Sequence, residues 1–210
     1  MRTPNEALSS PAPRWIPLVG AIGGAALALG TLAFAAASLA VVTDLGRGPT
    51  AAFALAAAIL SVLGGLALGV AWLGLVATGR GGLAALLGAL AVPAAVIGSQ
   101  AVDDAPAFVL VKGLVLMAGL ILCALAHLNL PRTRDNGGSG AIRGGATLAL
   151  IGLVATTLAY SRSLELPLGL AMALVVAGFL GITVLGFGLA FRFASLRDDL
   201  RARPLPAVRS

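Results

Sequence analysis

The sequence predicts an all-α fold, a polytopic membrane bundle of six transmembrane helices with both termini in the cytoplasm. Of its 210 residues, 59% are hydrophobic and only 10% are charged, whereas a soluble domain carries about 25% charged residues. The apolar residues form six long runs separated by short polar breaks. Arginines concentrate in alternate breaks, as the positive-inside rule requires. The expected solvent is therefore a lipid bilayer.

The six runs have the lengths that membrane helices need, since about 20 residues cross the hydrocarbon core. The predicted spans are 16–42, 51–77, 82–98, 106–130, 144–160 and 167–191, within one transmembrane domain that covers 16–194. The first span is long enough to tilt. The third is short and contains Pro93, which predicts a kink. No polar break is long enough to form a second folded domain.

The two flanks are polar. Residues 1–15 are expected to be a disordered cytoplasmic N-terminus. A cleaved signal peptide is the alternative for this region, but the first apolar run exceeds the usual 7 to 15 residues. Residues 195–210 form a basic cytoplasmic tail. Phe193, Leu196 and Leu200 recur at helical intervals, which predicts an amphipathic extension along the membrane surface. The tail arginines would attract anionic lipid by about 1 kcal/mol each, and a docking motif for a partner is the alternative.

The arginine distribution predicts the orientation. Only Arg47 and Arg162 fall in breaks assigned to the outer side, while 11 arginines fall in the regions assigned to the cytoplasm. Lys112 lies inside a span. With both termini cytoplasmic and six spans, this bias is strong. An odd number of spans would remove it.

The fourth span, 106–130, carries the candidate site. Lys112, Gly119, Cys123 and His127 fall on one helical stripe, because their intervals of 7, 4 and 4 approximate whole turns. Such a stripe must face protein or a wet cavity, since polar groups are costly in lipid. The acidic pair Asp103 and Asp104 precedes the span. These five polar side chains, Asp103, Asp104, Lys112, Cys123 and His127, are the candidate substrate or ion path. The alternative is structural, with Lys112 snorkelling to the acidic pair and His127 at the interface.

Small residues recur at intervals of four, which predicts close helix packing. The sets are Gly20, Gly24 and Ala28; Ser61, Gly65 and Gly69; and Ala177 and Gly181. Trp72, near the end of the second span, is expected to be an interfacial anchor. A weak internal repeat relates residues 23–32 to residues 144–153 at an offset of 121, which would mean three helical hairpins inserted in one orientation.

Catalytic and metal motifs are not found in the sequence. One Cys and one His are too few for a zinc site, and neither a nucleophile elbow nor a His-Glu-x-x-His helix occurs. No surface combines aromatic and basic residues for nucleic acid. We therefore expect no enzyme, no cofactor and no nucleic-acid partner. The expected function is that of a non-catalytic membrane component or accessory subunit of the cell membrane, acting through a membrane-protein partner or as a homo-oligomer. The alternative is a small-solute or ion permease lined by 106–130.

Overall fold

The fold is all-helical in the computed structural model, which describes residues 13–43, 46–78, 114, 117–119, 121, 138–160 and 167–202. Four long helices account for nearly all of these residues. They are α1 (Trp15–Val42), α2 (Arg47–Ala77), α3 (Ser139–Tyr160) and α4 (Leu168–Ala202). Each is long and apolar enough to cross a membrane. Among the described residues there is no strand.

The helices pack in the order α2, α1, α4, α3, with α1 and α4 at the centre. Neighbours are antiparallel. Ile16 near the start of α1 lies beside Gly74 near the end of α2, and Gly20 lies beside Phe193 near the end of α4. Gly138, just before α3, lies beside Gly188 of α4. The starts of α1 and α3 and the ends of α2 and α4 therefore share one end of the bundle, called the basic end below.

The predicted close packing is confirmed where small residues meet. A Cβ atom built on Gly24 would lie 2.6 Å from the backbone nitrogen of Ala190 and 2.7 Å from the carbonyl oxygen of Gly186. Real Cβ atoms do not approach other atoms so closely. Glycine is needed here because the α1 and α4 backbones touch, and such contact supplies much of the association energy between helices in lipid.

The helix bounds differ from the predicted spans in three places. α2 begins at Arg47 rather than 51, because Pro49 stands in its first turn, where a missing backbone N–H costs nothing. α3 begins at Ser139 rather than 144, directly after Gly138, which has a φ of 82°. α4 continues to Ala202, so the first part of the predicted tail 195–210 is helical.

The end of α4 also differs in what it contacts. Phe193 and Leu196 were expected on the membrane surface, but both are buried in the main hydrophobic core. The ring of Phe193 fits against Gly20 of α1, where any side chain would collide with it. Arg192 precedes it and is only 4% exposed, so its guanidinium is not available on the surface for lipid. Of the tail residues, Arg197 remains partly exposed.

Trp72 is a further correction. It was expected at the membrane interface, yet it is completely buried. Its ring centroid lies 6.5 Å from that of Phe193, in a tilted aromatic pair that links α2 to α4. Trp15, 46% exposed at the basic end, has the accessibility that an interfacial tryptophan requires.

The outer surface of the four helices is strongly apolar. Large side chains such as Ile22, Leu55, Leu63 and Ile151 are each more than half exposed. A water-soluble protein rarely exposes apolar patches of this extent. The surface is compatible with the multi-pass membrane protein that the sequence predicts.

The α1–α2 and α3–α4 hairpins have the same crossing geometry. Gly23 of α1 meets Gly64 and Leu68 of α2. Gly145 of α3 meets Gly181 and Leu185 of α4 in the same way. The equivalent residues are 122 apart in the first helices and 117 apart in the second.

A second pair of contacts has the same offsets. Gly30 approaches the backbone nitrogen of Ser61 to 2.6 Å, and Gly152 approaches that of Gly178 to 2.6 Å, both measured from a built Cβ. Again the first-helix residues are 122 apart and the second-helix residues 117 apart. The two hairpins therefore repeat structurally. For their first helices the offset is 122, one residue larger than the 121 that matching the sequence suggests.

Candidate functional site

The five predicted site residues Asp103, Asp104, Lys112, Cys123 and His127 all lie outside the described residues. One member of their stripe, Gly119, is described. It is helical and buried, whereas Leu114 is 54% exposed and Ile121 is 45% exposed. Leu114 and Ile121 are seven residues apart and so share a face. Gly119 therefore lies on the side of the helix away from that exposed face.

In the described part of the chain, the interior polar groups are mainly hydroxyls. Thr31 of α1 and Thr183 of α4 are both buried, and their Oγ1 atoms lie 3.0 Å apart. Thr31 Oγ1 also lies 3.0 Å from the carbonyl oxygen of Leu27, and Thr183 Oγ1 lies 2.9 Å from that of Phe179. Because each hydroxyl carries a single proton, one threonine donates to the carbonyl of its own helix and accepts the proton that the other threonine donates. The pair ties α1 to α4 in the middle of the apolar layer.

The stacked rings of Phe34 and Phe179 lie one turn beyond the threonine pair. Their centroids are 5.4 Å apart and their planes differ by 15°. The rings fill the space between α1 and α4 on the side away from the basic end. Sequence alone did not single out these four residues, because a lone Thr or Phe in an apolar run does not reveal the face on which it lies.

Among the buried polar atoms of the described residues, two on α2 have no hydrogen-bond partner. They are Ser61 Oγ on α2 and Trp72 Nε1, also on α2. Ser61 lies against Gly30 of α1, where the backbones are too close to admit another group. An unpaired hydroxyl or indole N–H costs about 1 to 3 kcal/mol when buried. In the described part of the chain, neither atom is hydrogen-bonded to another polar side chain.

The charges of the described residues are divided unequally between the two ends. Arg14, Arg143, Arg192 and Arg197 lie toward the basic end, whereas Arg47 lies at the opposite end. Asp198 is at the basic end too. Most arginines of the described residues therefore lie at the end that the sequence predicts to be cytoplasmic.

The described residues include few ionisable side chains. No three His, Cys, Asp or Glu side chains come together among them. The buried groups between α1, α2 and α4 are uncharged hydroxyls and one indole, apart from Arg192 at the basic end. Uncharged hydroxyls hold helices together in lipid, whereas acid–base catalysis needs a titratable group positioned beside the reacting atom.

Comparison of the chain with protein-family models, with curated proteins and with solved structures gave no match.

Proposed function

We propose that this chain is a non-catalytic component of the cell membrane, an accessory subunit that acts by binding other membrane proteins. It crosses the bilayer six times, with both termini in the cytoplasm. Its membrane character is supported by four long apolar helices and their exposed aliphatic surface. The cytoplasmic location is supported by the arginines at the basic end.

The observation that carries the proposal is how the helices meet. Glycines at the α1–α2, α1–α4 and α3–α4 crossings leave less room than one methyl group, as Gly64, Gly24 and Gly181 show. A solute therefore has no route between these pairs. The four described helices pack closely at these crossings and expose an apolar outer face.

The experiment is affinity purification after extraction in a mild detergent. A partner that stays in stoichiometric amount, or a discrete homo-oligomer, would support the proposal. A monodisperse monomer without a partner in both detergent and nanodiscs would contradict it.

The second candidate function is a permease for a small solute or an ion. It is supported by the burial of Gly119, the one described member of the predicted Lys112 and His127 stripe. In this case 106–130 would line the path, with Asp103 and Asp104 at its mouth. Purified protein in liposomes should then move a solute, and Lys112→Ala or His127→Ala should change the rate. Equal flux in both variants and the parent would reject this path.

A further inference from the structure

We propose that the chain consists of three copies of one helical hairpin, and that the face of α2 around Gly69 binds residues 82–98 of the same chain. Residues 82–98 would pack on this face of α2 in the way that α1 packs on the face of α4 around Gly186. The inference shares the count of six spans with the proposed function. It does not depend on what the protein does in the membrane.

The first support is the repeated crossing of the two described hairpins. Gly64 approaches the carbonyl oxygen of Gly23 to 2.8 Å, and Gly181 approaches that of Gly145 to 2.9 Å, measured from a built Cβ. Both hairpins begin at the basic end, so they are related by rotation about the membrane normal, as parallel repeats are. The equivalence assigns each residue of α2 a counterpart in α4.

The second support is the length and the position of the chain between the two hairpins. Thr78 and Gly138 lie at the same end of the bundle. The first hairpin, Trp15–Ala77, takes 63 residues and the second, Ser139–Ala202, takes 64, while 59 residues, 79–137, lie between them. Residues 79–137 are therefore about as long as one hairpin. Thr78 and Gly138, which flank them, both lie at the basic end, as the residues that flank a hairpin with the same orientation would.

The third support is the spacing of small residues in that intervening sequence. Gly82 and Ala89 are seven apart, as are Gly23 and Gly30 in α1. Gly119 and Ala124 are five apart, as are Gly64 and Gly69 in α2. The Arg-Gly-Gly triplet that ends at Gly82 also occurs at Gly145, the α3 counterpart of Gly23.

The binding face follows from the α1–α4 interface. Gly186 of α4 touches Gly24 and Ala28 of α1, and its α2 counterpart at an offset of 117 is Gly69. Gly69 is buried, and it lies about 100° around α2 from Leu68, which meets Gly23 of α1. On this alignment Thr183 corresponds to Leu66, and Thr31 corresponds to Leu90 at an offset of 59. Leu66 and Leu90 should therefore be neighbours.

The test is cysteine cross-linking in native membranes, with Cys123→Ser as the background. The Leu66→Cys and Leu90→Cys pair is oxidised, and linked peptides are identified by mass spectrometry. The positive control is Thr31→Cys with Thr183→Cys, whose side-chain oxygens lie 3.0 Å apart. The negative control is Leu63→Cys with Leu90→Cys. Leu66 and Leu63 are 43% and 57% exposed, but Leu63 lies about 120° around the helix from Gly69, whereas Leu66 lies about 60° from it.

We expect an intramolecular Leu66–Leu90 link in a yield close to that of the positive control and several-fold above the negative control. A second pair, Leu73→Cys with Leu83→Cys, corresponds to Ala190 and Gly24. It provides an independent measurement if a variant of the first pair misfolds. Equal yields for Leu63 and Leu66 would overturn the proposal. Links that form only between two copies would overturn it as well, because the occupant of the face would then be a second chain.

The proposal and the proposed function can fail separately. If the Leu66–Leu90 link does not form, the hairpin proposal fails, but a partner found by affinity purification still supports the proposed function. If no partner is found, the proposed function fails, but the Leu66–Leu90 cross-link still supports the hairpin proposal.

Discussion

Gly24 of α1 and Gly186 of α4 meet backbone to backbone, and each is needed because the other is there. A Cβ on Gly186 would lie 2.9 Å from both the carbonyl oxygen of Gly24 and the backbone nitrogen of Ala28. This contact lies at the centre of the bundle and joins the two halves of the described structure. Its energy comes from close packing, since the hydrophobic effect does not drive helices together in lipid.

Glycines at the crossings should tolerate no side chain, while neighbouring glycines should. Gly145→Val would push a branched side chain into the Leu185 backbone and should lower the detergent-unfolding midpoint by an amount equivalent to a few kcal/mol. Gly144→Val is the matched control, since nothing lies within 4 Å of its Cβ position. Equal stability of the two variants would show that the α3–α4 contact is looser than described.

The threonine pair should contribute a measurable coupling energy. Replacing Thr31 and Thr183 by Val, singly and together, gives a double-mutant cycle for the hydroxyl contact. Interhelical hydrogen bonds in lipid average about 0.6 kcal/mol and reach about 1.7 kcal/mol, so we expect coupling in that range. Thr147→Val is the control, because its hydroxyl is exposed and bonds only to the Arg143 carbonyl. A coupling energy of zero would mean that the two hydroxyls do not bond in the membrane.

Ser61 should be replaceable. Its buried Oγ has no partner, and the equivalent position in the second hairpin is Gly178. Ser61→Ala and Ser61→Gly should therefore unfold at the same denaturant concentration as the parent chain or a higher one, because an unsatisfied hydroxyl is removed. Ser61→Leu should be strongly destabilising, because Gly30 lies against the site. A clear loss of stability in Ser61→Ala would reveal a partner for the hydroxyl.

Trp72 should be a major packing residue. Trp72→Ala would remove the ring that packs on Phe193 and should cost about 3 to 5 kcal/mol, as large-to-small changes in a core do. Trp15→Ala, at a residue that is 46% exposed, should cost much less. Thermal denaturation followed by loss of the monodisperse peak measures both. A similar loss for the two variants would return Trp72 to the interfacial role that its sequence position suggested.

Sequence predicted the existence of the four described helices well, because long apolar runs flanked by Arg and Pro have few other solutions. It predicted less well which face each helix uses. Trp72 lies near the end of a predicted span, which is typical of an interfacial anchor. The structure shows instead that Trp72 packs on Phe193, and that Phe193 fits there because Gly20 of α1 has no side chain. The start of α2 was missed because Pro49 and Gly48 resemble a loop, although Pro is well tolerated in a first helical turn.

The register of the repeat was missed by one residue for a similar reason. Matching letters aligns Gly24 with Gly145, but the residue that meets the hairpin partner in α1 is Gly23. In helices rich in Ala, Gly and Leu, the two alignments differ little in matching residues, and the contact with the partner helix is what distinguishes them. The candidate stripe on 106–130 stays a prediction except at Gly119, which is buried.

The measurement that tests the account most directly is labelling of Ala101→Cys in a Cys123→Ser background with a maleimide that cannot cross the membrane. Thr43→Cys, at an exposed position beyond the end of α1, reports on the end predicted to be outside, and Pro13→Cys reports on the basic end, predicted to be cytoplasmic. With six spans and cytoplasmic termini, position 101 should label in intact cells together with position 43, while position 13 labels only after permeabilisation. Labelling of 101 with the pattern of 13 would mean that 79–137 does not cross the bilayer, and labelling of 13 in intact cells would reverse the orientation.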